Sequence, residues 1–563
     1  MLWTLQTVTA HNSNKSNEHV AEIFKAMFPD SQIAAKFMCG GEKTAYTSVF
    51  GLAEHFIALL KKEVNSCFAI LFDESLNKKT QQQHMDIHIR YWKDNQVVSR
   101  YLGSESLDKH GWTVNWKFYS LIKEKLSADF DTKLINIGSC GLHVIHNSFK
   151  AGATASGWDI SSILSSLYRL FKDAPARRED YIKITGSPLM PQKFCGHRWL
   201  ENIPVCERAL QLWENIEAFV KAVKEKRIAK QDNKSYATVK EATNDPPIKC
   251  KLCFFQCVAN HLQPFLALYQ TDKPMVMFLA SDLSNMIRAL MRKFIQDGVL
   301  TAASTDDKLL KNVAESKNHK TYKQIDLGFS TEELKEVVKK GGLSQKQVME
   351  FRIDCRTFLI RTIQKIMMKC PLLYSLVRNM TALDPRQMVK NPIQCRESMK
   401  KVLTVLVNAD KVKEKYCDAI LVEYGNFLDN IPVIGSTVFS SYSPTAHRID
   451  EFFVKYMSLE SFPKLLPVVK LMLVLSHGQA SVERGFSVNK EAVVDNLSQR
   501  STVARRVICD HVHSVGGELK VSMTKEPMQS VSSSRRKYEL HLQQMKQDRQ
   551  MEEHKRKTEE NEA

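Results

Sequence analysis

The chain of 563 residues contains no run of about 18 uncharged apolar residues, so no membrane-spanning helix is expected. Its start, Met1-Leu-Trp-Thr-Leu-Gln6, lacks the basic opening and apolar core of a secretory signal, and secretion is not expected. A disulfide framework is missing too. The 13 cysteines are odd in number and irregularly spaced along a long chain, as reduced intracellular thiols are. No Cys-x-x-Cys with a downstream histidine pair precedes residue 66, so no zinc module of that kind is expected there. Acidic residues are in short supply. Against 80 Lys and Arg stand 62 Asp and Glu, a net charge of +18. That surplus argues either for polyanion partners or for a solvated basic surface, and says nothing about fold.

What is present is otherwise ordinary for a globular protein, with 43% hydrophobic and 25% charged residues and room for roughly two to four domains. Residues 1–65 read as helical, with apolar side chains at helical spacing in Val20–Phe28 and Leu52–Leu60. Then the period changes. Cys67–Phe72 is a short apolar run ending in Asp73-Glu-Ser75, which reads as a buried strand delivering an acid at its end. His84–Tyr91 alternates, placing Met85, Ile87, Ile89 and Tyr91 on one face. Asp94-Asn95 is a turn, and Val97–Leu102 is a third strand. Val114–Leu126 has helical spacing, Leu134–Gly138 reads as another buried strand, and a helix follows from about Gly141. From about 200 to 430 the pattern is helical, interrupted by Lys-rich loops or exposed faces at 221–240 and 308–348. A late strand and helix follow. Ser530–Lys537 reads as a polar linker, and 536–563 as a fraying solvated helix or disorder.

The stretch with the most chemistry is late. Leu465–Leu475 is an apolar run. It passes through Ser476-His-Gly-Gln-Ala-Ser-Val-Glu-Arg-Gly-Phe486, which puts a carboxylate, Glu483, and a guanidinium, Arg484, next to buried sequence. Metal-dependent nucleotidyl transfer needs carboxylates converging on divalent ions. Asp73 and Glu483 are candidates. The plainer alternative is that Asp73 caps a strand end and Glu483 pairs with a surface arginine. Cys250, Cys253, Cys257 and His261 share one face of one helix. They cannot surround a tetrahedral zinc, so buried thiols on an apolar stripe are expected. Cys140 and His143 read as a core pair, and His477 as a capping or surface histidine.

Several of these segments resemble the hAT superfamily of DNA transposases. Ser481-Val-Glu-Arg-Gly-Phe486 with Gln499–His511 is similar to that family's C-terminal dimerisation region. Leu71-Phe-Asp-Glu-Ser75 looks like its first RNase H-like strand. Cys140 and His143 look like its Cys-x-x-His element, and Arg198-Trp199 like the tryptophan segment that opens its helical insertion. The resemblance implies an α/β chain, an RNase H-like domain interrupted by a large all-α insertion with flanking helices. The parts would be an N-terminal helical segment at 1–65, a degenerate RNase H-like first half at 66–190, the insertion at 191–430, the second half with the dimerisation region at 431–515, and a charged tail at 516–563.

The resemblance further implies Asp73 and Glu483 as catalytic acids holding Mg²⁺ or Mn²⁺ if the chain is active. It implies DNA contacts at Arg198, Trp199, Lys221, Lys224, Lys226 and Arg227, and self-association as a homodimer or higher oligomer. A nuclear or otherwise cytoplasmic location, with no membrane partner, goes with it. Two departures stand out. The position of the family's second acid is His110, with Asp108 a weak substitute, and the usual N-terminal BED zinc finger is absent. Three functions stay open: a transposase-derived protein that self-associates and binds nucleic acid weakly and non-specifically without transposing, an active metal-dependent transposase, and an interaction scaffold using only the dimerisation region.

Overall fold

The computed structural model describes residues 1–77, 82–107, 120, 122–124, 128, 133–138, 140–229, 232–303, 311–328, 330–340, 342–492 and 497–562. The chain divides into two units. One comprises Met1–Leu134, Thr271–Pro274 and His447–Ala563, and the other Ile135–Gln270 with Met275–Ala446. In chain order the second lies within the first, with boundaries at 134/135 and 446/447, where the sequence suggested 190/191 and 430/431. Among the described residues the protein is mainly helical with one small antiparallel sheet. No described helix is long and apolar enough to cross a membrane.

The first unit is built on three strands in the order β1 (Ala69–Asn77), β2 (Gln82–Lys93), β3 (Gln96–Leu107). β2 and β3 form a hairpin. Its two turn residues, Asp94 and Asn95, have φ of 48° and 65°, as a two-residue turn matching strand twist requires, and Asp and Asn tolerate that region. Alternation then sorts the side chains. Met85, Ile89 and Tyr91 are buried on one face as expected, Ile89 and Tyr91 clustering with Leu60 of the Glu54–Glu63 helix. β3 is an edge strand, and side chains take up backbone groups along it. Val97 N–H donates to Asp450 (2.8 Å), Val97 C=O accepts from Arg448 (3.0 Å), and Tyr101 N–H donates to Asp510 (3.1 Å).

Three readings of this unit are corrected. Leu465–Val474 is a helix rather than a strand. A short, wholly apolar run carries no period of its own, and Pro467 sits in the first turn, where a missing N–H costs nothing. Ser530–Lys537 is no linker. It lies inside one helix, Lys525–Glu562, packed on the π-helical turn Ser48–Ala53, with Ser530 Oγ donating to Gly51 O (2.8 Å) and Ser534 fully buried. Small side chains let two backbones approach, and composition alone mistakes that for flexibility. His477 is buried, not at the surface.

Among its described residues the regular structure of the second unit is helical, apart from an isolated bridge between Ile295 and His319. Leu134–Gly138 belongs to no strand; its side chains are half-buried and Gly138 takes a φ of 95°. An aromatic core joins Phe149, Trp158, Phe254, Phe351 and Phe358. Helices Gly141–Ala155 and Gln345–Lys369 approach so closely at Gly152 that an added Cβ would lie 1.9 Å from Thr362 Oγ1 and 2.7 Å from the Phe358 carbonyl oxygen. Cys250 is buried on the Ile248–Tyr269 helix and Cys253 and Cys257 half-buried, on one helix as expected.

Candidate functional site

The face of the sheet opposite Met85 and Tyr91 is polar and nonetheless covered. Asp73 on β1 pairs in register with Asp86 on β2, so both carboxylates start from the same face, with His88 and Arg90 following at alternate positions. The Ala480–Ala492 helix lies against β1 and β2. Gln479 Nε2, just before that helix, donates to the carbonyl of Phe72, the neighbour of Asp73. Glu483 therefore sits in the first turn of a helix whose start is tied to the Asp73 strand. Asp73 is half-buried and its Oδ1 accepts the Glu74 N–H (3.0 Å).

Asp86 is the acid that the sequence reading missed. It is fully buried. Its Oδ1 accepts from Ser104 Oγ (2.6 Å), Ser104 in turn bonds the Tyr101 hydroxyl, and its Oδ2 faces the equally buried Arg506 guanidinium (3.7 Å). Arg506 also lies 4.6 Å from the Tyr101 ring centroid. His88 sits in the same cluster with both ring nitrogens lacking a hydrogen-bond partner, and burial, with Arg506 and Arg484 adding to it, pushes its pKa down to about 3. Gly485 closes the cluster. A Cβ there would stand 2.7 Å from Arg506 Nη2 and 3.3 Å from His88 Nε2, so a larger residue would have to displace the Arg506 guanidinium. The signal was available. Asp86, His88 and Arg90 recur at period two in a strand whose other face is plainly core.

The neighbouring arginines are structural as well. Arg90 donates to Val474 O (3.1 Å), Ser99 Oγ (3.2 Å) and Asp272 O (2.7 Å), and burial brings its pKa down to about 10. Arg484 pairs with Asp272 (2.9 Å), and Arg505 donates to Asn12 O (2.8 Å). His110 and Asp108, on which the second-acid reading turned, lie outside the described residues.

In the helical unit, Cys140 is the N-cap residue of Gly141–Ala155 and His143 stands in its first turn. One turn on, His146 Nδ1 accepts the Leu200 N–H (3.3 Å), fixing the neutral tautomer. Burial, reinforced by His143, Arg198 and His197, drives its pKa to about 4. Asn202, fully buried, clasps the same segment, accepting from Cys195 N–H (2.6 Å) and donating to Cys195 O and Trp199 O (both 3.0 Å). The helix that begins at Cys140 thus holds the Trp199 segment in place. Trp199 itself is buried, its indole N–H donating to Gly196 O (3.0 Å) and Phe194 packed edge-on to its ring (5.2 Å between centroids).

The expected basic DNA contacts are partly spent. Arg198 pairs with Glu201 (2.9 Å), Lys221 and Arg227 share Glu225 (3.9 and 2.8 Å), and Lys224 bonds Asn244 (3.0 Å). Lys226, at the end of that helix, is exposed. Across residues 459–515, which take in the segment that resembles the family's dimerisation region, much of the apolar side-chain surface packs inside the chain, although Leu459 is exposed. Leu465, Val469, Leu473, Val507, Ile508 and Val512 are all buried within the single chain. No family model matches this sequence, and no curated protein matches it.

Proposed function

We propose that the chain is a transposase-derived protein of the hAT kind that binds DNA weakly and non-specifically and does not cleave it. The RNase H-like reading is supported by three antiparallel strands with Asp73 on the first, and by the Glu483 helix laid on that sheet. The observation that carries DNA binding is the surplus of 18 positive charges on a chain whose polar surface must still meet solvent. Loss of cleavage follows from the acids. A two-metal reaction needs several carboxylates turned toward the metals. Asp86, opposite Asp73, is committed to Ser104 and Arg506, and the sequence puts His110 where the family has an acid. Mg²⁺ or Mn²⁺ would find Asp73 and Glu483 at most among the described family positions, so no metal-dependent step is assigned. The location consistent with this reading is nuclear. Self-association through residues 459–515 belongs to this reading on the resemblance alone, since Leu465, Val469, Ile508 and Val512 are buried within the chain.

The test incubates labelled duplex and hairpin-ended DNA with the full chain and Mg²⁺ or Mn²⁺, followed by a denaturing gel. Intact strands are expected. Nicks that vanish in Asp73→Ala would establish the active enzyme instead. Absence of any DNA complex at low salt would leave the interaction scaffold.

A further inference from the structure

Within the helical unit, three helices wall a cavity of about 520 Å³, a size in the range of small-ligand sites, about 300–1,000 Å³. Gly141–Ala155 brings Lys150, Ile160–Phe171 brings Arg169, and the start of Lys234–Thr243 brings Lys234. The middle helix is sharply two-faced. Its Ile163, Leu164, Leu167 and Leu170 are buried, while Ser161, Ser162, Ser165 and Ser166 line the cavity. Serine is an indifferent helix former, so four on one helix are hard to explain by helix stability.

Three features make the cavity an anion site. No Asp or Glu lines it, and among the described residues none of the three cations is ion-paired. Three like charges therefore line one concavity whose described walls hold no carboxylate, a field that favours an anion. The serine hydroxyls add short donors. The cavity also meets the positive end of the ten-residue Lys234–Thr243 helix, where Asn233 takes only the Tyr236 N–H (2.9 Å). Phe194 and Trp199 close one wall, with Lys150 Nζ 5.9 Å from the Trp199 ring centroid.

We infer that this cavity binds a nucleoside diphosphate, its phosphates held by Lys150, Arg169 and Lys234 and its nucleoside set against the Phe194–Trp199 wall. A terminal phosphate alone carries about −1.5 to −2 charges. A diphosphate therefore matches three clustered cations better than a phosphodiester chain, which spreads single charges along a groove. The inference does not depend on DNA binding.

Calorimetric titration of the full chain with ADP, GDP, pyrophosphate and inorganic phosphate tests it, with a single-stranded oligonucleotide as competitor. A nucleoside diphosphate is expected to bind more tightly than pyrophosphate. The Arg169→Ala/Lys234→Ala double variant should lose about tenfold or more in affinity. The Lys400→Ala/Lys401→Ala variant, outside the cavity, should bind as the parent does. All substituted side chains are exposed, and an unchanged melting temperature confirms the fold. The inference is overturned if neither nucleotide binds at millimolar concentration, or if the cavity variant binds unchanged. It is equally overturned if pyrophosphate equals the nucleotides, or if only the oligonucleotide occupies the site.

Discussion

Asp86 and Arg506 face each other with almost no access to water, and that pairing sets the behaviour of the residues around them. Breaking a buried pair from one side strands a charge. Arg506→Leu should therefore lower unfolding free energy by about 3–5 kcal/mol in a urea titration, while the Asp86→Leu/Arg506→Leu double variant recovers much of the loss. Equal stabilities for parent and single variant would show the pair to be idle. The buried histidines give a pH dependence of definite sign. His88 has a folded pKa of about 3, and His146 and His511 of about 4, each lowered chiefly by burial. Below the ordinary value of 6.5 the unfolded chain takes up protons that the folded chain refuses. Stability is thus fully present above pH 6.5 and falls as pH drops toward 4. The melting temperature should decline from pH 7 to pH 5, and His88→Gln should flatten that decline. A level profile in the parent would contradict these burials. The polar face of β2 was legible in the sequence but its pairing was not, because Asp86 and Arg506 lie far apart along the chain. Only the alternation in His84–Tyr91 hinted that a second, polar face existed.

At the scale of elements, local signals served well where period and turn chemistry acted alone. The β2–β3 hairpin with Asp94-Asn95, the N-terminal helices and the single-helix placement of Cys250 to Cys257 follow from spacing. Elements decided by tertiary packing did not. Leu465–Val474 has an apolar composition that suits strand and helix alike, and Ser530–Ser534 looks like a linker until Gly51 is seen beneath it. The same packing decides what substitutions do. Gly152→Ala must push Thr362 or the Phe358 backbone aside and should cost on the order of 1–3 kcal/mol, read from denaturant midpoints. Ile508→Asp should unfold the chain rather than separate subunits, because Ile508 clusters with Leu5, Phe56 and Val512 of its own chain. A variant that stays folded but halves its mass by light scattering would restore the dimerisation surface.

For the whole molecule, the governing quantity is charge. The expected Lys221–Arg227 contacts are partly taken up by Glu225 and Asn244, yet the chain still carries 18 more positive than negative side chains. Binding driven by that surplus works by releasing counterions from DNA and carries little sequence preference. The direct measurement is the affinity of the full chain for duplexes of unrelated sequence, by fluorescence anisotropy, across a series of salt concentrations. The account predicts log affinity falling linearly and steeply with log salt, with nearly the same line for every duplex. An affinity that does not change with salt, or no binding at the lowest salt, would contradict it.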